Sequence, residues 1–202
     1  MGLDITVLIA DWSWLTEVPP GERLERLRDA WYDDATGLWD PDAPVADSGW
    51  VRPRGPGHFE IHEFRHSAGS FKPHFWAGHR WEALRDHVDP PLRTEVDALL
   101  LGLVWPGPDG LAEQTDPDVF GDGPSARGLL LARPPGAVRE LAECWRRIHP
   151  ALGGLREAFT EHAADPGGWV GDFDAYRELL QGWGTVVTEA ARRGWAVVGL
   201  AE

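Results

Sequence analysis

Cysteine, lysine and methionine are nearly missing from this chain: Cys144, Lys72 and Met1 are single occurrences, and there is no asparagine. One cysteine cannot form an internal disulfide, a zinc knuckle or a Cys-x-x-Cys redox pair, and Cys144 reads as an inert thiol beside the apolar face of a helix. Without asparagine there is no N-glycosylation site. The basic side chains are almost all arginine, 18 residues read from the sequence, a bias that resembles high-GC coding more than a functional demand. No apolar run approaches the roughly 18 residues that a membrane helix needs. Residues 1–10 show neither a basic leader nor a small-residue cleavage site, so the expectation is a cytoplasmic protein with no membrane contact.

Basic charge is also in deficit. The formal net charge of -14 disfavours nucleic acid as a partner, because phosphate contacts need a cationic footprint. It suits solubility or a basic protein partner. The acid is concentrated in two stretches without a single base: Asp33, Asp34, Asp40, Asp42 and Asp47, and further on Asp109, Glu113, Asp116, Asp118 and Asp122. Residues 50–93, between them, are slightly basic.

With 202 residues and 43% hydrophobic side chains, the length and composition fit one domain with one core. Residues 3–10 alternate Leu3, Ile5, Val7 and Ile9 with Asp4 and Thr6, the period of a strand. Phe59 and Ile61 place a second strand at 57–65. Leu129, Leu130 and Leu131, and the run from Trp195 to Leu200, read as interior strands. Double prolines at Pro19-Pro20, Pro90-Pro91 and Pro134-Pro135 each precede a helical face, as expected where a first turn has no use for an N–H. Those faces are Leu24, Leu27 and Trp31; Leu92, Val96, Leu99 and Leu103; and Val138, Leu141, Trp145 and Ile148. Shorter helices are marked by Trp81, Leu84 and Val88 and by Leu152, Leu155 and Phe159. A last long helix runs from Tyr176 to a stop at Arg192-Arg193-Gly194, with cations at its carbonyl end and glycine as a left-handed cap. The prediction is therefore an α+β single domain, about four short strands with about six helices. Long Gly/Pro/Asp-rich loops lie near 33–57 and 104–125.

From Ala126 onward the order is a short strand, Arg133-Pro134-Pro135-Gly136-Ala137-Val138-Arg139-Glu140-Leu141 opening a helix, Leu155-Arg156 in the next, and Tyr176-Arg177 through Ala190-Ala191-Arg192-Arg193-Gly194 before a closing strand. This pattern, mainly over residues 126–200, resembles the YfbM-like family of uncharacterised bacterial proteins. The resemblance implies an α+β fold and no established reaction, so it carries no catalytic residue to this chain. The Asp- and His-rich region between 33 and 80 departs from it.

Six of the eight histidines fall between His58 and His87. As a strand, the segment puts His58, Glu60 and His62 on one face, with Phe59 and Ile61 buried opposite. Ends about 13 Å apart at the ~3.3 Å rise of a strand would need further ligands from elsewhere to bind a metal. A helix would instead align His58, His62 and His66, but the Gly55-Pro56-Gly57 lead-in and the alternation favour a strand, with solvated histidines on its outer face. Asp116, Asp118, Gly121 and Asp122 fail as a calcium loop, since Phe120 and Arg127 stand where oxygen ligands are required. Ser125 has no base beside it. Phosphate-loop, dinucleotide, hydrolase-elbow and zinc-protease motifs are missing.

Twelve tryptophans exceed what packing alone requires. Trp31, Trp81, Trp145 and Trp183 fall on helical core faces. Trp39, Trp50, Trp105 and Trp169 fall among Gly, Pro and Asp, where an indole either pins a loop or meets a partner. Trp50, Phe71, Phe75 and Trp76, interleaved with Arg52, Arg54, Lys72 and His74, offer a concave site for an anionic or aromatic ligand. The expected function is a non-catalytic protein-binding module of the immunity or regulator kind without a cofactor. Its contacts with a basic protein would come from Trp39, Asp40, Asp42, Asp47, Trp50 and Trp76. The alternatives are a metal-dependent hydrolase-type enzyme centred on the His-rich segment 58–79, and a small-ligand binder with a Trp-lined pocket.

Overall fold

A computed structural model describes residues 3–47, 49–55, 57–65, 67, 69–110, 117–121 and 127–201. His66, Glu113, Asp116, Asp122 and Ser125, singled out above, lie outside them. Five strands form one antiparallel sheet: β1 (Ile5–Ala10), β2 (Trp50–Val51), β3 (Phe59–His62), β4 (Leu129–Arg133) and β5 (Ala196–Ala201), in the order β2-β3-β1-β5-β4. The fold class is α+β, with one strand more than the sequence predicts. β2 escapes a period-two search because it has only two residues and is defined by its pairing, Trp50 with His62 and Val51 with Ile61.

Both faces of the sheet are covered, which explains why β1 and β5 are buried almost throughout rather than on alternate residues. One face presents Leu8, Ala10, Phe59, Val198 and Leu200 to α1 (Trp12–Leu15), α2 (Pro20–Tyr32) and the single turn α5 (Pro117–Phe120). The other presents Ile5, Val7, Ile9 and Val197 to α3 (Lys72–Leu84), α4 (Pro90–Leu101), α6 (Pro135–Ile148), α7 (Arg156–His162) and α8 (Phe173–Arg193). The central strand pairs in register with both neighbours, Val7 with His62 and with Gly199, so it locks the two sides of the sheet together.

The helix signals in the sequence act locally, and most appear where expected. Proline opens α2, α4 and α6 at the first turn. α8 starts on an Asp172 cap that accepts from Ala175 N at 2.9 Å and ends at Gly194 with φ +70°. α3 is the exception: it begins at Lys72, well before the predicted start near Trp81, and a 3₁₀ turn follows it from Arg85 to His87. Its apolar stripe is interrupted by Gly78, whose place is set by packing: a Cβ there would stand 3.0 Å from the Val104 carbonyl oxygen. The region around Leu152 and Leu155 is a 3₁₀ segment, His149–Leu155, and α-helix begins only after Gly153-Gly154. Among the described residues no helix is long and apolar enough to cross a membrane.

Candidate functional site

β3 alternates as the sequence predicts. Phe59 and Ile61 turn to the α1–α2 side, while Glu60 and His62 share the opposite face. That face is not solvated, because α8 lies over it: Glu60 is 8% exposed and His62 7%. The expectation of outward-facing histidines is thereby corrected. The His62 ring sits 4.8 Å from Trp50 and 4.8 Å, edge on, from Phe64. Gly49, at φ +86°, lets the loop backbone press against it; a Cβ there would meet His62 Cε1 at 2.8 Å. His58 does not join this group. It precedes β3 and stacks on Trp14 of α1 at 4.6 Å with the planes 6° apart.

The second member of the buried seam is His74 of α3, 1% exposed. Its Nδ1 accepts from the Trp183 indole N–H of α8 at 3.2 Å, and Phe64 lies edge on at 4.7 Å, between the two imidazoles. Burial lowers the pKa of His62 to about 4; burial, then the nearness of His62, lowers that of His74 to about 3. Both rings are neutral at physiological pH. Because Nδ1 of His74 is an acceptor, its proton sits on Nε2. Glu60 is ionically held: its Oε1 accepts from Arg193 at 2.9 Å and lies 3.3 Å from Arg52 Nε. Arg193 also donates to Glu189, whose pKa falls to about 2 because Arg192 first, and then Arg193, hydrogen-bond its carboxylate. This ladder ties β3 to the C-terminal turn of α8. Among the described residues no group of three or more His, Cys, Asp or Glu side chains is placed to hold a metal ion.

The acidic segment after α2 is built differently. A 3₁₀ turn, Asp34–Thr36, is capped by Asp33, which accepts from Ala35 N at 2.8 Å, and it ends on Gly37 at φ +65°. Arg54 then holds the loop from across. Its backbone N–H donates to Thr36 O at 2.8 Å, and its guanidinium donates to Asp42 O and lies 3.6 Å from Asp40. On this frame Trp39 stacks on Tyr32 at 5.4 Å, planes 17° apart, and each is 55% exposed. Trp31, buried, lies 5.4 Å from Tyr32 and accepts at its carbonyl from Trp39 Nε1 at 3.3 Å. The result is a two-ring platform with Asp40 and Asp42 beside it.

The six predicted binding residues thus separate. Trp39, Asp40 and Asp42 are brought together by Arg54. Asp47 bridges to Trp50 at the end of β2, and the Trp50 ring is buried against His62. Trp76, 37% exposed on α3, contacts Phe75, His79 and Arg80 instead. Of the other loop tryptophans, Trp105 is pinned, donating to Glu82 at 2.7 Å, and Trp169 is half-exposed beside Lys72. Phe64 of the seam and Tyr32 of the platform carry no sequence signal of a site, and His74, read from the sequence as part of a concave ligand site with Trp50, Phe71, Phe75 and Trp76, is buried in the core instead. His74 precedes Trp81 by two helical turns, a spacing that would have placed it on the core face had α3 been extended to Lys72. Comparisons with protein-family models, with curated proteins and with solved structures find no match, so the likeness of residues 126–200 to the YfbM-like family rests on the sequence pattern alone.

Proposed function

We propose that this protein is a cytoplasmic, non-catalytic binding module, immunity- or regulator-like, whose Tyr32–Trp39 platform receives an arginine- or lysine-bearing segment of a basic protein. The observation that carries the reading is the exposed ring pair itself. Two large aromatic side chains are held stacked over a buried third, at the edge of an acidic loop braced by one arginine. Ring faces attract a cation, and a pre-stacked pair loses little conformational freedom on binding. Asp40 and Asp42, with the wider excess of negative charge, would steer such a segment toward the platform. Contacts of this kind weaken with added salt.

The metal-enzyme alternative has less support. His58 stands apart from Glu60 and His62, stacked on Trp14 instead, and Glu60 Oε1 already accepts from Arg193. The proposal is tested by affinity capture with the wild type, with Trp39→Ala/Asp40→Asn/Asp42→Asn, and with Glu157→Gln/Glu161→Gln, which removes the same number of charges from exposed positions on α7. The expected result is a basic protein retained by the wild type and by the α7 control and lost by the platform variant. Equal retention on all three would remove the proposal.

A further inference from the structure

The ring centroids of Trp31, Tyr32 and Trp39 form a triangle: 5.4 Å from Trp31 to Tyr32, 5.4 Å from Tyr32 to Trp39 and 6.3 Å from Trp31 to Trp39. Two rings on opposite faces of Trp39 would be separated by twice a carbon–carbon contact distance, roughly 7 Å or more. Trp31 and Tyr32 are closer than that, so both lie on one side of Trp39, and the Trp39 indole N–H is turned inward to the Trp31 carbonyl at 3.3 Å. The other face of Trp39, in a residue 55% exposed, is open to solvent. It is also flat. Tyr32 and Trp39 are inclined by 17° and Trp31 and Tyr32 by 18°, so the rings form layers and not the walls of a cage that would enclose an ammonium group from several sides.

The acids at the rim differ in how far they are committed. The Asp40 carboxylate lies 3.6 Å from Arg54. At Asp42 the same guanidinium takes the backbone carbonyl, and the exposed Asp42 carboxylate has no partner among the described residues. The turn in which Ala43 N donates to Asp40 O at 3.0 Å keeps Asp42 close to Trp39 along the chain. Arg54 fixes the loop from both ends, through its contacts with residues 40 and 42 and through its backbone N–H to Thr36 O at 2.8 Å. Ring face and carboxylate are therefore set before a partner arrives.

We infer that the platform selects arginine over lysine: a partner guanidinium lies flat on the open face of Trp39 and its in-plane N–H groups donate to the Asp42 carboxylate. The inference rests on the binding function proposed above and names the side chain which that function recognises. A guanidinium is planar and weakly hydrated, so it can stack on a ring and still present a fork of donors to a carboxylate. An ammonium is compact and strongly hydrated, and a single flat face attracts it from one side only.

The test is NMR titration of the full-length protein at low salt with three acetylated pentapeptide amides, alternating glycine with arginine, with lysine or with citrulline, the uncharged planar counterpart of arginine. The readout is the indole N–H resonance of Trp39, identified by its absence from the spectrum of Trp39→Ala. The arginine peptide should shift this resonance saturably, the lysine peptide should bind about fivefold or more weakly, and the citrulline peptide weaker still. Asp42→Asn, an exposed change whose folding an unaltered thermal midpoint verifies, should narrow the difference between arginine and lysine. Lysine binding as tightly as arginine, with both peptides shifting Trp39, would overturn the selectivity and leave the platform's function standing. Citrulline as tight as arginine, or an arginine preference untouched by Asp42→Asn, would likewise overturn the inference. A Trp39 resonance that neither cationic peptide moves would remove the platform's function and the inference with it.

Discussion

The Tyr32–Trp39 platform and the Glu60–His62–His74 seam are made from the same kinds of side chain, rings and ionisable groups separated by short polar spacers. Their environments are opposite. Trp39 and Tyr32 stack in the open beside carboxylates that a single arginine braces, whereas His62 and His74 are enclosed by Trp50, Phe64 and Trp183 beneath α8. In the seam, Arg193 holds Glu60, the Trp183 indole holds His74, and His62 is packed between the Trp50 and Phe64 rings, so changing any of them disturbs the fold. On the platform the charges are mostly hydrated, and on the function proposed above changing them should disturb recognition alone. Local residue type therefore does not distinguish a binding surface from a structural polar core; the covering element does.

The largest expected effect lies in the seam and follows pH. The folded pKa values of His62 and His74 lie below the ordinary 6.5, so the unfolded chain takes up protons first as the medium is acidified. Stability from these groups is complete above pH 6.5 and is lost on descending toward pH 4 for His62 and pH 3 for His74. At about 1.4 kcal/mol per pKa unit, the loss by pH 4 is about 3 kcal/mol for each histidine. Urea unfolding at pH 7, 5.5 and 4 measures it, and His62→Gln should remove part of the slope. A flat profile would place the rings in water.

Next in size is Gly49→Ala, which combines a left-handed backbone with a Cβ 2.8 Å from the His62 ring and should cost about 2–3 kcal/mol of unfolding free energy. Arg193→Ala leaves Glu60 with Arg52 alone and should cost about 1–3 kcal/mol, partly restored by lysine. On the platform the pattern reverses. Trp39→Ala should shift stability by less than about 1 kcal/mol while reducing partner affinity by about tenfold or more. Asp40→Asn and Asp42→Asn should each change stability by no more than about 0.5 kcal/mol, with the loss of affinity strongest at low salt. A destabilised Trp39→Ala, or a fully stable Gly49→Ala, would erase the contrast.

What the sequence could express was local. The alternation in β1, the prolines ahead of α4 and α6 and the Arg192-Arg193-Gly194 stop all act within a few residues, and the structure has each in place. The start of α3 was hidden because its core face carries His74 and Gly78, residues that read as polar or helix-breaking until Trp183 and Val104 are set against them. β2 exists only through its pairing with β3. The same dependence on distant partners separates Trp39 from Trp50. Both lie among glycine, proline and aspartate, yet Trp50 is buried against His62 while Trp39 meets solvent above Trp31.

Hydroxyl-radical footprinting with residue-level mass spectrometry, on the free protein and on its complex with the captured basic partner, tests both halves of this contrast at once. In the free protein Tyr32 and Trp39 should oxidise rapidly while His62, His74 and Trp183 stay protected. In the complex the rates at Tyr32 and Trp39 should fall and those in the seam should not change. An unchanged Trp39 rate in the complex, or seam histidines that react as fast as surface residues in the free protein, would contradict it.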